Sequence, residues 1–414
     1  MDTLATMNIL VQKFGGTSLS TQEERLHAAK KIMQATSQGY AVVVVVSAMG
    51  REGDPYATDT LISLTGKISP EMPKREMDML MSCGELISAG VMVATLQSLG
   101  VQAVLLTGAQ AGIVTNESFG DARILRVEPK TILAHLRDNH VVVVPGFQGA
   151  TESGEQTTLG RGGSDTSAAA LGVALEAEAI EIFTDVEGVM TADPRIVEDA
   201  KILPVVSYND ISNLAHQGAK VIHPRAVEIA MQRNVPLRVR STFSDGPGTL
   251  VTNSMPDKVA GADAVGDRII TGIACTPNVT QIQLDIDGCE NKPEVCKKIF
   301  RGMALADISV DFISVQPERV SYTVRHEWGA KAIGILQNMG FAPKSKLKCA
   351  KISLVGGGIA DLPGVMATVL EALEECGVET LQSADSHTTV WVLVEKEHMI
   401  AAIQAMHRKF QLGT

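Results

Sequence analysis

A chain of 414 residues is too long for one ordinary hydrophobic core and predicts two or three domains, with 45% hydrophobic residues to fill them. Its formal net charge of −11 argues against a general nucleic-acid or anionic-membrane surface and leaves only local basic pockets for an anionic ligand. The six cysteines (Cys83, Cys275, Cys289, Cys296, Cys349 and Cys376) make no C-x-x-C pair and no zinc spacing, so they read as packing residues of a reduced, cytoplasmic chain.

Along the chain, Ile9 to Lys13, Ala41 to Ser47 and Val141 to Pro145 read as strands. The run Val42 to Val46 lacks two-residue alternation, as expected of a parallel strand covered on both faces. Between the first two strands, Ser20 and Glu23 suggest a capping box ahead of a helix with Leu26, Ala29, Ile32 and Met33 on one face. Strand, glycine turn and helix then alternate to about residue 250, which predicts a three-layer α/β domain with a mainly parallel sheet. No apolar run is expected to span a membrane, and no signal segment opens the chain.

Candidate chemistry sits where strands end. KFGGTS (Lys13 to Ser18) follows the first strand, with Gly15 and Gly16 in its turn and Lys13 as a point charge; the lysine precedes the glycines, so this is not a Walker A loop. Ser47 and, after a polar loop, Thr58 offer hydroxyls to a small polar ligand or act as turn and cap residues. Glu85, in the apolar stretch LMSCGELISAGVMV, either meets a cation or is exposed in a first helical turn. LGRGGSDTSAAA (Leu159 to Ala170) places three glycines, Arg161, Ser164 and Asp165 ahead of a helix expected from Thr166; such a loop suits phosphate or carboxylate, and Asp165 can cap the helix or grip an ammonium. Phe183 to Arg195 runs from a strand into a polar loop, where Thr184, Asp185 and Arg195 serve a nucleotide or merely a turn. In His216 to Ala230, Lys220 adds a cation, and His223 reads as a cap or core histidine.

Near residue 245 the composition shifts to Gly, Pro, Asp and Ser, which marks a linker. Beyond it two similar units follow at a spacing of about 70 residues. Each reads strand, helix, strand: Thr280 to Asp287, Val295 to Ala306 and Ile308 to Val315, then Ala350 to Val355, Val365 to Cys376 and from Val378 onward.

KFGGTS, VVVVVSAMG, SCGE, LTGAQAG, VPGFQGAT, LGRGGSDTSAAAL, FTDVEGVMTADPR and GAKVIHPRAVEIA, in this order, resemble the aspartokinases of the amino-acid-kinase family; the tail LQSADSHTTVWVLV, with GDPYATD and STFSDGPGTLVT, resembles within them the diaminopimelate-sensitive enzymes of bacilli. The resemblance implies a catalytic domain at 7–250, a linker at 251–265 and two ACT modules of ferredoxin-like α+β fold at 266–345 and 346–414, whose C-terminal strands interleave with the first module. It implies transfer of the ATP γ-phosphoryl group, from ATP with Mg2+, to the side-chain carboxylate of L-aspartate. Lys13, Gly15, Gly16 and Asp165 would be catalytic. Ser47, Thr58, Glu85, Arg161 and Ser164 would bind aspartate, with Arg161 on its α-carboxylate and Glu85 on its ammonium. Lys13, Thr17, Ser18, Thr184, Asp185, Arg195 and Lys220 would bind nucleotide, and no protein ligand is assigned to the metal.

An amino-acid effector (meso-diaminopimelate, lysine or threonine) is placed near Gly358, Ile359, Asp361, Leu362 and Gln382, with a homodimer formed through the ACT modules and no nucleic-acid or membrane partner. Two departures from the family pattern stand out: Met190 where many members have tyrosine, and GCENKPEVCKKIF without the Pro-Gly turn retained at Pro363-Gly364. The alternatives are a kinase of another small acid and a catalytically silent amino-acid sensor.

Overall fold

The computed structural model describes residues 7–69, 71–219, 221–253, 269–359 and 362–413. They divide into two compact units. The first runs to Val189 and takes in Ile202–Ala215 and residues 221–253; the second holds Met190–Lys201, His216–Ala219 and the chain from 269 onward. Most of the expected linker lies outside the described residues.

The first unit is built on a sheet of eight described strands in the order Val205–Val206, Thr249–Val251, Leu237–Ser241, Ala179–Thr184, Ile9–Phe14, Ala41–Val46, Val141–Pro145 and Ala103–Leu105. Its neighbours pair in parallel, except Leu237–Ser241 with Thr249–Val251. The valine run explains the layering. Val42, Val44 and Val46 pack with Ala28, Ala29 and Ile32 of helix Gln22–Ser37 and with Ala89, Met92 and Leu96 of helix Lys74–Ser98. Val43 and Val45, pointing the other way, are also fully buried, on the face where helix Gly163–Ala174 crosses the sheet. A smaller sheet, Ile124–Val127, Ile113–Thr115, Gln148–Ala150 and Gln156–Thr158, lies in the same unit.

Three local expectations are corrected. The capping box is Thr21 with Glu24, because the Ser20 hydroxyl is already donated to the Gly16 carbonyl. Helix Lys74–Ser98 has 25 residues and is long and apolar enough to cross a membrane, yet it lies in the α/β unit and turns Asp78, Met81, Glu85 and Met92 inward. Cys83 on that helix is exposed rather than packed.

In the second unit six described strands pair antiparallel throughout, in the order Asp311–Val315, Arg319–Arg325, Gly272–Asp285, Lys344–Val355, Thr389–Glu395 and Gln382–Asp385. Each sequence repeat is strand, helix, strand, strand, helix. The two long central strands are shared: Val279 to Asp285 pairs with Arg319–Arg325, whereas Gly272 to Pro277 pairs with Ala350 to Val355. Two four-stranded lobes of ferredoxin-like topology result, each completed by a strand segment from the other repeat. Ile282, Leu284, Ile299, Tyr322 and Leu336 fill one core; Ile273, Ile352, Leu354, Val369, Val392 and Met406 fill the other.

Candidate active site

Strand register brings the predicted loops together. Lys13 lies opposite both Val45 and Ile182, so the strands ending at Phe14, Val46 and Phe183 release their loops at one carboxyl edge, where open α/β sheets bind ligands. Pro145 is paired with Val46, which adds Gly146 and Phe147 to that edge.

Close backbone approach there explains the glycines. The Gly15 amide donates to the Phe183 carbonyl at 3.3 Å, and the Gly50 amide to the Gly16 carbonyl at 3.1 Å. A Cβ on Gly16 would stand 2.6 Å from the Ala48 carbonyl oxygen and 2.8 Å from that of Gly50, so the turn is pressed onto the Ser47–Gly50 loop. Gly16→Ala is therefore expected to separate these loops, lowering stability by about 1–3 kcal/mol and kcat by at least tenfold, on the order of the loss of a positioned donor. Urea unfolding and turnover of the purified variant check it.

Lys13 reaches into this edge and pairs with Asp165, Nζ to Oδ1 2.8 Å, both side chains mostly buried. Asp165 also accepts the His223 amide at 3.1 Å. It does not cap its helix. That helix begins at Gly163, after Gly162 in the left-handed region at φ 66°, where a Cβ would lie 2.1 Å from the His223 ring. His223 itself caps helix Pro224–Met231, its Nδ1 accepting the Arg225 amide. Ser164 is buried against Gly146, and Arg161 is exposed on the preceding loop, without an ion pair among the described residues.

Glu85 is 3% exposed in the middle of its helix, which rules out the first-turn alternative. Its Oε1 accepts the Ala48 amide at 3.2 Å, and its Oε2 has no hydrogen-bond partner. Burial pushes the carboxyl up to about 8; the Ala48 amide and the Thr58 hydroxyl draw it partly back. A buried, half-satisfied carboxylate beside the Ser47 loop is costly, and a cation brought to it would offset that cost. Gly84 permits the approach, since a Cβ there would meet the Tyr56 carbonyl at 2.8 Å and the Ala48 methyl at 3.0 Å.

The residues expected to bind nucleotide are less uniform. Thr17 is half-buried, whereas Ser18 is fully buried and shares a 2.7 Å hydrogen bond with Thr242, so its hydroxyl holds the loop in place. Thr184 donates to Asp185, which pairs with Arg51 at 3.0 Å on the surface. Arg195 belongs to the second unit, where it grips Asp193 through Nε and Nη2. Lys220 lies outside the described residues.

Of the effector residues, Ile359 is buried in the hydrophobic core of its lobe, Gly358 has φ 82° and Leu362 is exposed. Gln382 accepts from Gln281 at 3.0 Å and donates to the Phe312 carbonyl at 2.7 Å. Asp361 lies outside the described residues. The first lobe replaces the missing Pro-Gly turn with Asn291, whose side chain caps helix Lys292–Leu305.

Two residues escaped sequence reasoning. Asp78 is fully buried and accepts from the Gly120 amide, the Thr158 amide and the Thr158 hydroxyl. Its place two helical turns before Glu85, on the same face of one helix, was the available signal. Arg225 donates to the carbonyls of Leu159 and Ala122, clamping the chain at the start of the GRGGSD loop. Nothing in local spacing marks that contact.

With this geometry in view, residues 8–241 match the amino acid kinase family and residues 344–408 match an ACT domain. The chain is 53% identical over 407 residues to aspartokinase 1 of Bacillus subtilis, covering 98% of this chain and 100% of that one. It is 40% identical to an aspartokinase of Geobacillus stearothermophilus, with 98% of each covered. Among solved structures it is similar to aspartokinase III of E. coli in complex with aspartate and ADP (R-state), with a TM-score of 0.78, 25% identity and coverage of 97% of this chain and 99% of that one.

Proposed function

The chain belongs to the amino acid kinase family as an aspartokinase with ACT modules, and from that premise we propose that it transfers the γ-phosphoryl group of ATP to the side-chain carboxylate of L-aspartate, giving 4-phospho-L-aspartate. The observation that carries the reading is Glu85: a buried carboxylate with one oxygen unpartnered, in a chain whose nearby loops also present Lys13 and Arg161. A catalytically silent sensor has no use for a group held at that cost.

In this mechanism the aspartate ammonium meets Glu85 and its α-carboxylate meets Arg161, with Ser47, Thr58 and Ser164 closing the pocket. The nucleophile needs no general base, because a carboxylate with a reference pKa of about 3.9 is ionised at neutral pH. The barrier is repulsion between this carboxylate and the triphosphate. Lys13 and the Gly15 and Gly16 amides offset it where negative charge gathers, and Asp165 orients Lys13. Thr17, Thr184, Asp185 and Lys220 bind the nucleotide, with Ser18 fixing the loop beneath.

Magnesium enters as MgATP, held by phosphate oxygens and water. Among the described residues the acidic and histidine group close enough to hold a metal is Glu395, Glu397 and His398 in the second unit, which has no part in this chemistry. The enzyme would be a cytoplasmic homodimer acting at the head of lysine, diaminopimelate, threonine and methionine biosynthesis. The ACT modules, with boundaries at 266–345 and 346–414, would bind meso-diaminopimelate, lysine or threonine near Gly358 and Leu362. An effector acts only by binding two conformations unequally.

ATP-dependent formation of aspartyl hydroxamate, with glutamate as control, tests the reaction; no aspartate-dependent product would overturn it. In the same assay Arg161→Ala is expected to raise the KM for aspartate by about a hundredfold, the equivalent of losing a bidentate charge-assisted pair. An unchanged aspartate dependence would remove Arg161 from the pocket.

A further inference from the structure

Both stretches of chain beside the nucleotide residues are fixed within the second unit. Met190–Lys201 follows Thr184 and Asp185 after a short loop, and His216–Ala219 leads directly into Lys220.

The first stretch is closed on itself and then held. The Thr191 amide donates to the Lys201 carbonyl at 2.9 Å, and the Lys201 amide donates to the Thr191 hydroxyl oxygen at 3.0 Å. The Thr191 carbonyl accepts the Ile273 amide from the long strand Gly272–Asp285 at 2.8 Å. Its hydroxyl is 3.0 Å from Nε2 of His407, a fully buried residue of the C-terminal helix Met399–Lys409, and the other ring nitrogen lies 3.7 Å from Asp199 of the same stretch. Ala192, Val197 and Ala200 are buried in the core that contains Met406 and Ile273.

The second stretch is gripped at Gln217. The Thr276 hydroxyl donates to its backbone carbonyl and the Ser353 hydroxyl to its side-chain oxygen, both at 3.0 Å. Gly218 lies so close to the strand that a Cβ would be 2.3 Å from the Cys275 carbonyl oxygen.

Hydroxyls at positions 276 and 353 are informative because of where they sit. Both belong to the shared central strands, and Ser353 is fully buried between its cross-strand neighbours Ala274 and Trp391, where an unpartnered hydroxyl is costly. Its side-chain partner comes from the His216–Ala219 stretch and not from either repeat. The same holds for His407, whose polar neighbours Thr191 and Asp199 both lie in the other stretch. The repeats thus carry buried polar groups whose partners are the flanks of the nucleotide residues.

We propose that Ser353, Thr276 and His407 are positioning residues for the nucleotide: by anchoring Gln217 and Thr191 they set the placement of the chain leading to Lys220 and away from Asp185, and thereby the affinity for ATP. The proposal rests on the reading of Thr184, Asp185 and Lys220 as nucleotide-binding. The expected effect falls on ATP and not on aspartate, because none of the aspartate residues adjoins either anchored stretch in the chain.

Steady-state kinetics of the full chain, with ATP and aspartate varied separately, test this. Ser353→Ala and His407→Phe are each expected to raise the KM for ATP about five- to tenfold, the scale of one lost buried hydrogen bond, with the KM for aspartate unchanged. Ser353→Thr and His407→Gln, which keep a hydrogen-bonding group, are expected to restore the ATP value. Parent-like ATP kinetics in both disruptive variants would overturn the proposal, as would equal rises for ATP and aspartate, the mark of general loosening. If Ser353→Ala fails to fold, Gln217→Ala removes the same side-chain contact from the half-buried partner. Lys220→Ala separates the two layers: if it leaves the KM for ATP unchanged, the nucleotide assignment falls, whereas if it raises that KM and the anchoring variants do not, only the positioning role falls.

Discussion

Lys13→Met is expected to lower kcat about a thousandfold, the scale of removing a group that stabilises transferring phosphoryl charge, while the KM for aspartate moves little. The aspartate contacts are assigned elsewhere, to Arg161 and Glu85. The variant carries a second effect, because Lys13 and Asp165 form a mostly buried pair at 2.8 Å and the deletion leaves a carboxylate without its cation. Stability should therefore fall as well, by about 3 kcal/mol. The double variant Lys13→Met, Asp165→Asn separates the two: removing both charges should recover much of the stability and none of the turnover. Urea unfolding alongside steady-state kinetics reads both quantities. A kcat within tenfold of the parent in Lys13→Met would move the phosphoryl stabilisation to another residue.

Glu85→Gln should show opposite signs in stability and binding. With its carboxyl pushed up to about 8 from an ordinary value of 4.5, the folded protein keeps Glu85 protonated at pH 7 where the unfolded chain ionises it, a cost of about 3 kcal/mol at that pH. The sign follows from proton counts: between 4.5 and 8 the unfolded state binds fewer protons at this site, so the site lowers stability as pH rises through that window. Glutamine escapes the charge penalty, and the variant should unfold at or above the parent's temperature. Aspartate binding should suffer, with a KM raised about a hundredfold by loss of a buried ammonium–carboxylate contact.

In the parent, binding an ammonium requires the ionised carboxyl, so the KM for aspartate should fall by about tenfold per pH unit as pH rises toward 8. The glutamine variant should lose that slope. A parent KM independent of pH between 6 and 8, or a glutamine variant that binds aspartate normally, would take Glu85 out of the ammonium site.

Much of the first unit was legible because local sequence carried its physics. Val42 to Val46 is apolar on both faces since helices cover both faces, and Lys13, Ser47 and Thr184 could be placed at one edge because parallel strands end in register. Where two local devices compete, sequence alone does not decide between them. Ser20 and Thr21 both suit an N-cap, and only the Gly16 carbonyl, which takes the Ser20 hydroxyl, decides for Thr21. Asp165 had the composition of a helix cap, but the left-handed Gly162 under His223 starts the helix earlier and frees the carboxylate for Lys13. The second unit was legible as a repeat and not as an architecture. Pairing of Gly272 to Pro277 with Ala350 to Val355 joins segments far apart in the chain, and no periodicity within either segment reveals it. Arg225 and the flanks at Thr191 and Gln217 escaped for the same reason: their partners are fixed by the fold.

Those shared strands also govern how the regulatory half is made. As the chain leaves the ribosome, the first lobe stays unfinished until Lys344 to Cys349 has emerged, although its own helices and three of its strands are already synthesised. The second lobe needs Gly272 to Pro277, made long before, held available in an open edge. Neither repeat can therefore mature as a separate module: the first lobe closes only with Lys344 to Cys349 from the second repeat, and the second only with Gly272 to Pro277 from the first. A duplicated sequence has become, physically, a single cooperative element.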